Sequence, residues 1–177
     1  MAIYALRQTI GEDAVNRALR NFLARFAFQP PPFPTSRDLV DYFLAQTPAE
    51  HQAWAKELFE KITLHELKVV EATIEGEGEN RALHLSVQAK KLYADGKGGE
   101  NETTMDEWVD IALLPEPEKD LPENVLPEPL HQQRYRLVTG TNTIKIPVTG
   151  NPVRVAVDPG FRLIDRNPDD NLKSLLD

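Results

Sequence analysis

Apolar and polar residues alternate along the last third of the chain with the period of a β-strand. Three such runs are separated by turn residues around Gly140 and Gly150. One face of each run is apolar: Tyr135 and Leu137 in the first, Ile144, Ile146 and Val148 in the second, and Val153, Val155 and Val157 in the third. We predict an antiparallel meander with one buried face. Pro147 cannot donate a ladder hydrogen bond, so the second strand lies at an edge or bonds on one side only at that position.

The first sixty residues follow the helical period instead. Residues 2–9 read as the end of a helix entered abruptly and broken at Gly11, which leads us to expect a piece of a longer protein. A second helix opens at Glu12-Asp13, carries one apolar stripe, and ends near Phe28 because prolines follow. The stripe consists of Val15, Leu19, Phe22 and Phe26.

Two further helices are predicted from their N-terminal signals. Thr35 and Ser36 are capping candidates for one, with Asp38 three residues after Thr35. Leu39 and Phe43 lie on its buried face. A capping box over residues 47–50, with Pro48 at the first helical position, predicts the other. Its apolar side is formed by Trp54, Leu58 and Ile62.

The period then changes to that of strands. Residues 64–74 and 82–93 read as strands around a glycine-rich turn, residues 95–103 as a mobile loop, and residues 104–114 as a further strand. Residues 115–130 are rich in proline and acid and predict an extended surface loop.

These elements predict an α+β fold with two parts. A helical segment of three to four helices spans residues 1–62. An immunoglobulin-like antiparallel β-sandwich of about six to seven strands, with an acidic C-terminal tail, spans residues 63–177.

Composition narrows the possible functions. A net charge of −8 argues against nucleic-acid binding, and the absence of cysteine rules out disulfides and thiolate metal sites. No apolar run approaches the ~20 residues of a membrane span, so we predict none in this chain.

Candidate metal ligands lack the spacing that a metal site needs. His65-Glu66 is similar to the first half of a zinc H-E-x-x-H motif, but the position of the second histidine is Val69 and the segment reads as a strand. The other histidines, His51, His84 and His131, are scattered singly. The acidic residues Asp158, Asp165, Asp169 and Asp170 lack the order of a calcium loop, so we assign them to capping and turns.

Nucleophile and phosphate motifs are absent from the sequence as well. The serines Ser36, Ser86 and Ser174 lie in no G-x-S-x-G elbow, and the glycines of residues 96–99 lie between strands rather than before a helix. We read Trp54 and Trp108 as core anchors rather than ligand platforms. We therefore predict no catalytic, metal or cofactor-binding residue in this chain.

The helical part carries an ordered set of short motifs. They are Gly11–Val15, which fits G-E-x-x-[FV], then Ala18–Arg20, then Thr35–Leu39, which fits T-[TS]-x-D-[LFV]. In this order they resemble the stretch after the catalytic core of aminopeptidase N-type zinc peptidases, the gluzincin family. Val155–Pro159 and Leu163–Asn171 resemble the C-terminal end of a bacterial membrane-associated branch, in which the peptidase can be fused to transporter-like membrane helices.

The resemblance implies a C-terminal part of a zinc aminopeptidase that supports the catalytic domain of its parent. The family's H-E-x-x-H zinc site and G-x-M-E-N loop are absent here, and its transition-state tyrosine would lie upstream of Ile3, so that role is not transferred to Tyr4. Zinc, peptide substrate and any membrane association are expected only through the parent, and the fragment alone is expected to be inactive.

Two rival interpretations remain. One is a stand-alone β-sandwich that binds a protein or peptide without catalysis. The other is a complete hydrolase, for which we find no catalytic constellation. An exposed apolar patch on the helices would favour the fragment, and a concave aromatic site on the sandwich would favour the binding module.

Overall fold

The computed structural model describes residues 2–122 and 125–176, with Glu79 described by its backbone alone. Four helices precede eight strands. The helices are α1 (Ala2–Ile10), α2 (Glu12–Phe26), α3 (Ser36–Gln46) and α4 (Gln52–Glu60). The strands are β1 (Ile62–Glu75), β2 (Ala82–Ala94), β3 (Glu100–Thr103), β4 (Asp106–Leu114), β5 (His131–Val138), β6 (Gly140–Pro147), β7 (Arg154–Val157) and β8 (Leu172–Ser174). The predicted α+β class is confirmed.

The chain divides into two compact units. The helical unit comprises residues 1–63 and 94–97, and the sandwich unit comprises residues 64–93 and 98–177. Each unit has its own apolar core.

Two residues of the predicted apolar stripe of α2 belong to the core of the helical unit, Val15 as a buried residue and Leu19 as a partly buried one, whereas Phe22 and Phe26 contact Tyr42. The buried core residues of this unit are Leu6, Val15, Ala18, Phe43 and Ala55. The rings of Phe43 and Phe59 stack with centroids 5.8 Å apart. Thr35, which with Ser36 was a predicted capping candidate, is the N-cap of α3 and forms a capping box with Asp38, each side chain satisfying a backbone N–H of the other residue.

The predicted capping box over residues 47–50 is wrong. The Thr47 hydroxyl is buried and donates to the Phe43 carbonyl oxygen at 2.8 Å, so it closes α3 instead of opening α4. Residues Ala49–His51 form a 3-10 turn, and α4 begins only at Gln52. Ile62 is the first residue of β1 and is exposed, rather than part of the apolar side of α4.

The sandwich unit contains two four-stranded sheets. In the first sheet β2 pairs with β1, β3 and β6, and in the second the order is β5-β4-β7-β8. Inward side chains from both sheets form one core, as in a sandwich; they include Leu67, Leu83, Leu85, Val87, Val109, Ile111, Leu113, Leu137, Ile146, Val155 and Val157. Two short strands raise the count above the predicted six to seven: β8, and β3 within the predicted mobile loop.

The predicted meander of the last third is wrong. The strands β5, β6 and β7 exist, but β6 pairs with β2 in the first sheet, while β5 and β7 both pair with β4 in the second. Consecutive strands therefore cross between the sheets instead of pairing with each other. Among the strands that the structure describes, β6 pairs only with β2, which agrees with the edge position or one-sided bonding predicted from Pro147.

Candidate functional site

The most exposed apolar side chains of the helical unit lie at the end of α2 and in the loop that follows it. Phe28 is fully exposed and has a φ of 61°, and Phe33 is 72% exposed at the other end of the proline-rich loop. Leu23, on the last turns of α2, is also exposed. Large apolar side chains held in water mark contact surfaces more often than chance positions do.

The same segment is cationic. Residues 14–37 contain four arginines and no acidic residue, although the chain as a whole carries a net charge of −8. Among the four, Arg20, Arg25 and Arg37 are exposed and form no ion pair with any residue that the structure describes. We call Arg20, Arg25, Phe28, Phe33 and Arg37 the arginine–phenylalanine surface.

An aromatic cluster lies at the same end of α2. The rings of Phe22, Phe26 and Tyr42 contact one another with centroid distances of 5.1, 5.7 and 6.2 Å. The Arg25 guanidinium lies 5.4 Å from the centroid of the Phe26 ring, a cation–π distance. The end of α2 is thereby fixed against α3.

A buried ionic triad joins the two sheets of the sandwich unit. Glu107 on β4 of the second sheet lies between His65 on β1 and Lys91 on β2 of the first. The Glu107 carboxylate accepts from Lys91 Nζ at 2.6 Å and lies 3.2 Å from His65 Nε2. All three side chains are at most 11% exposed. We call these residues the inter-sheet triad.

The triad holds its carboxylate in the charged form. Burial alone would raise the pKa of Glu107, but hydrogen bonds and positive charge from His65 and Lys91 more than offset that effect and lower the pKa to about 2. His65 Nδ1 is buried with no hydrogen-bond partner among the described residues. A histidine buried between strands in this way braces the sandwich; it is not a helical zinc ligand.

A polar cleft of about 220 Å³ lies where residues 165–170 run beside β1. Arg166 pairs with Glu66 at 3.3 Å and also with Glu100. The carboxylate of Asp165 accepts from the Leu67 N–H and from Asn171 Nδ2, each at 3.0 Å. Arg166 and Asp165 therefore hold this C-terminal segment to β1.

The acidic residues singled out from the sequence lie at two places, since Asp165 and Asp170 border this cleft and Asp158 and Asp169 border another. Asp158 accepts from the N–H groups of Arg162 and Leu163, so the predicted turn roles are confirmed for Asp158 and Asp165. Asp169 and Asp170 lie in a 3-10 turn after Pro168. Within residues 2–122 and 125–176, no group of three histidine or acidic side chains could hold a metal ion.

Two of the remaining histidines contact residues nearby in the sequence. His84 lies 3.5 Å from Glu75, and His131 lies 3.4 Å from the Tyr135 hydroxyl. His51 precedes α4 without capping it through its side chain.

The two tryptophans differ in their exposure to solvent. Trp54 packs against the helical core, as predicted. The prediction for Trp108 is wrong: its side chain is 59% exposed on the outer face of β4. Trp108 is one residue out of phase with Val109, Ile111 and Leu113, which fill the core, and this alternation was the signal that could have identified it.

Comparison with known proteins identifies no family. No protein-family model matches the chain, and no curated protein matches it. The described helices include none that is long and apolar enough to cross a membrane.

Proposed function

We propose that this chain is a non-catalytic part of a gluzincin-type zinc aminopeptidase, and that it supports the catalytic region of its parent. The motif order in residues 11–39 supports this proposal, since its two clearest motifs coincide with the start of α2 and the capped start of α3. The chemistry would belong to the parent, where a zinc-bound water hydrolyses the N-terminal peptide bond.

The arginine–phenylalanine surface is the observation on which the proposal depends. Phe28 and Phe33 are exposed apolar groups in the loop that follows α2, and the end of α2 is packed on α3 by aromatic rings. Exposed apolar groups are what a surface separated from its partner would leave. Aromatic residues and arginine are enriched at the energetic centres of interfaces. We infer that this surface docks on the catalytic region, and that acidic side chains there face its arginines.

The test requires the peptidase region encoded with this chain, produced as a separate protein. Mixing the two should give a stable complex by size-exclusion chromatography, with zinc-dependent hydrolysis of amino-acid amides in the complex and none by the chain alone. Phe28→Ser with Phe33→Ser should weaken the complex at least about tenfold. The matched control is Val138→Ser, which alters an exposed apolar residue of the sandwich unit.

Three outcomes would refute the proposal. One is chelator-sensitive hydrolysis by the chain alone, and another is a gene that encodes no peptidase region. The third is a complex that the paired phenylalanine change leaves intact.

The sandwich unit favours a second function, binding of a protein or peptide. A largely apolar cleft of about 370 Å³ lies on its second sheet. This is the concave feature expected of a binding module, and it is independent of the helical surface.

A further inference from the structure

The apolar cleft lies on the outer face of the second sheet. Its walls include Ala156 of β7, Leu126 of the loop between β4 and β5, Leu172 of β8, and Phe161. Phe161 is exposed and is held at a φ of 48° in the turn that follows β7. At about 370 Å³ the cleft is at the small end of the usual ligand range, about 300–1,000 Å³, and has room for one large side chain.

Trp108 forms a second apolar point on the same face. It lies on β4 between Asp106 and Asp110, and all three side chains point outward. Arg136 forms a two-bond fork with Asp106, both distances being 2.5 Å, and Arg134 donates to Asp110 at 3.1 Å. The charges beside Trp108 are thus neutralised in pairs, and the indole ring between them stays open to solvent.

The sheet register gives the distance, along the strand direction, between Trp108 and one wall of the cleft on β7, the strand beside β4. Ala156, in the cleft wall, pairs with Ala112, which is four residues along β4 from Trp108. At about 3.3 Å per residue this is ~13 Å along the strand. Asp110 connects the two regions, because its carbonyl oxygen accepts from the Asp158 N–H at 2.8 Å and its carboxylate lies 3.8 Å from Arg162.

Charge restricts the partner. The sandwich unit contains 20 acidic and 12 cationic residues, so it carries the whole net charge of −8, while the helical unit is balanced. The charged residues that line the cleft are Asp158 and Asp169, with no lysine or arginine among its described walls. An acidic partner would be repelled from this face, and a neutral or basic partner would not.

We propose that this face binds an extended, non-acidic peptide segment with two large apolar side chains four residues apart. One side chain enters the cleft beside Phe161, and the other packs on Trp108. In an extended chain, residues i and i+4 lie on the same side and about 13 Å apart, which matches the spacing on β4. The side chains of Asp110 and Arg134, which lie between the levels of Trp108 and Ala112, then face the peptide backbone between the two anchors.

The experiment uses the full chain with Trp54→Phe, so that fluorescence reports Trp108 alone. The probes are blocked five-residue peptides with phenylalanine at the first and fifth positions and small polar residues between. Binding should shift the Trp108 emission. Moving the second phenylalanine to the fourth position should weaken binding at least about fivefold, because that side chain then points away from the sheet.

Variants of the chain locate the site. Phe161→Ala should weaken binding about tenfold. Trp108→Ala should weaken it by a similar factor, and because this variant lacks the fluorescent reporter its binding is measured by calorimetry. Val70→Ala, an exposed residue of the first sheet, should have no effect. The Phe161 and Trp108 side chains are exposed, so both variants should keep the circular dichroism spectrum and melting temperature of the parent chain. Aspartate in the middle of the peptide should weaken binding at low salt and less so at high salt.

Several results would overturn the proposal. Binding that ignores the spacing, or survives both alanine changes, would refute it. So would the absence of binding by every peptide at about 1 mM, the weakest affinity of interest. If Trp108→Ala instead reduces the molecular mass by light scattering, the face is covered by a second copy of the chain and the peptide proposal is wrong. None of these outcomes bears on the helical docking surface.

Discussion

Replacing Glu107 by glutamine tests the inter-sheet triad with almost no change of shape. The pKa of Glu107 is about 2 in the folded protein against 4.5 for a free glutamate side chain. At 1.36 kcal/mol for each pH unit, this difference corresponds to about 3 kcal/mol of stability at neutral pH. The side chain is only 11% exposed, so solvent screening removes little of it. Removing one partner of a buried ion pair costs about as much, 3–5 kcal/mol.

The sign of the pH dependence follows from the depressed pKa. The stabilisation is complete above the unfolded pKa of 4.5 and is lost as the pH falls towards the folded value of about 2. Urea unfolding of the sandwich unit, followed by Trp108 fluorescence in the Trp54→Phe chain, should show this loss between pH 5 and pH 2. Glu107→Gln should lower stability by about 3 kcal/mol at pH 7, or roughly 6–12 °C in melting temperature, and should flatten the acid dependence.

Two control variants test whether the loss of stability is specific to the buried charge of the inter-sheet triad. Glu66→Gln removes a carboxylate of β1 that is 39% exposed and paired with Arg166, and should cost less than about 1 kcal/mol. Replacing His65, Lys91 and Glu107 together by leucine should restore stability to within about 1–2 kcal/mol, because no unpaired charge remains buried. If Glu107→Gln costs no more than Glu66→Gln, or keeps the acid dependence, the reasoning fails.

Three further predictions concern the fold, each measured by thermal and urea unfolding. Phe43→Ala should cost about 3–5 kcal/mol because it empties the helical core, whereas Phe33→Ala should change stability by less than about 0.5 kcal/mol. Thr35→Ala should cost about 1 kcal/mol through the lost cap of α3, and an unchanged melting temperature would refute the capping role. Gly76→Ala should destabilise more than Gly98→Ala, since both have positive φ but only at Gly76 would a Cβ lie 2.5 Å from a backbone oxygen, that of Asn80.

Local sequence patterns predicted the helices and strand positions, because these depend on interactions between residues close in the sequence. The helices of residues 2–60 follow from 3.6-residue stripes and from prolines and caps that act within a few residues, and Thr35 with Asp38 was identified in this way. Strand positions followed from alternation in the same way. The prediction failed at residues 47–50. Thr47 could either cap the start of α4 or close the end of α3, and its hydroxyl closes α3 by donating to the Phe43 carbonyl oxygen.

Strand pairing could not be predicted in this way, because it is decided by contacts distant in sequence. The turns around Gly140 and Gly150 are correct turn signals, but each leads the chain to the other sheet instead of a neighbouring strand. The inter-sheet triad is equally non-local, since its residues are 16 and 42 positions apart in the chain. No spacing rule links such residues, so His65 could be excluded as a zinc ligand but not recognised as part of a buried ionic group.

The phase of β4 connects the fold to the proposed peptide surface. Glu107 points inward to the triad, so Trp108 must point outward. A slip of one residue would place Asp106, Trp108 and Asp110 against the core and leave Lys91 without its carboxylate partner. The phase that buries Val109, Ile111 and Leu113 in the core therefore also places Glu107 in the triad and presents Trp108 to solvent between its two ion pairs.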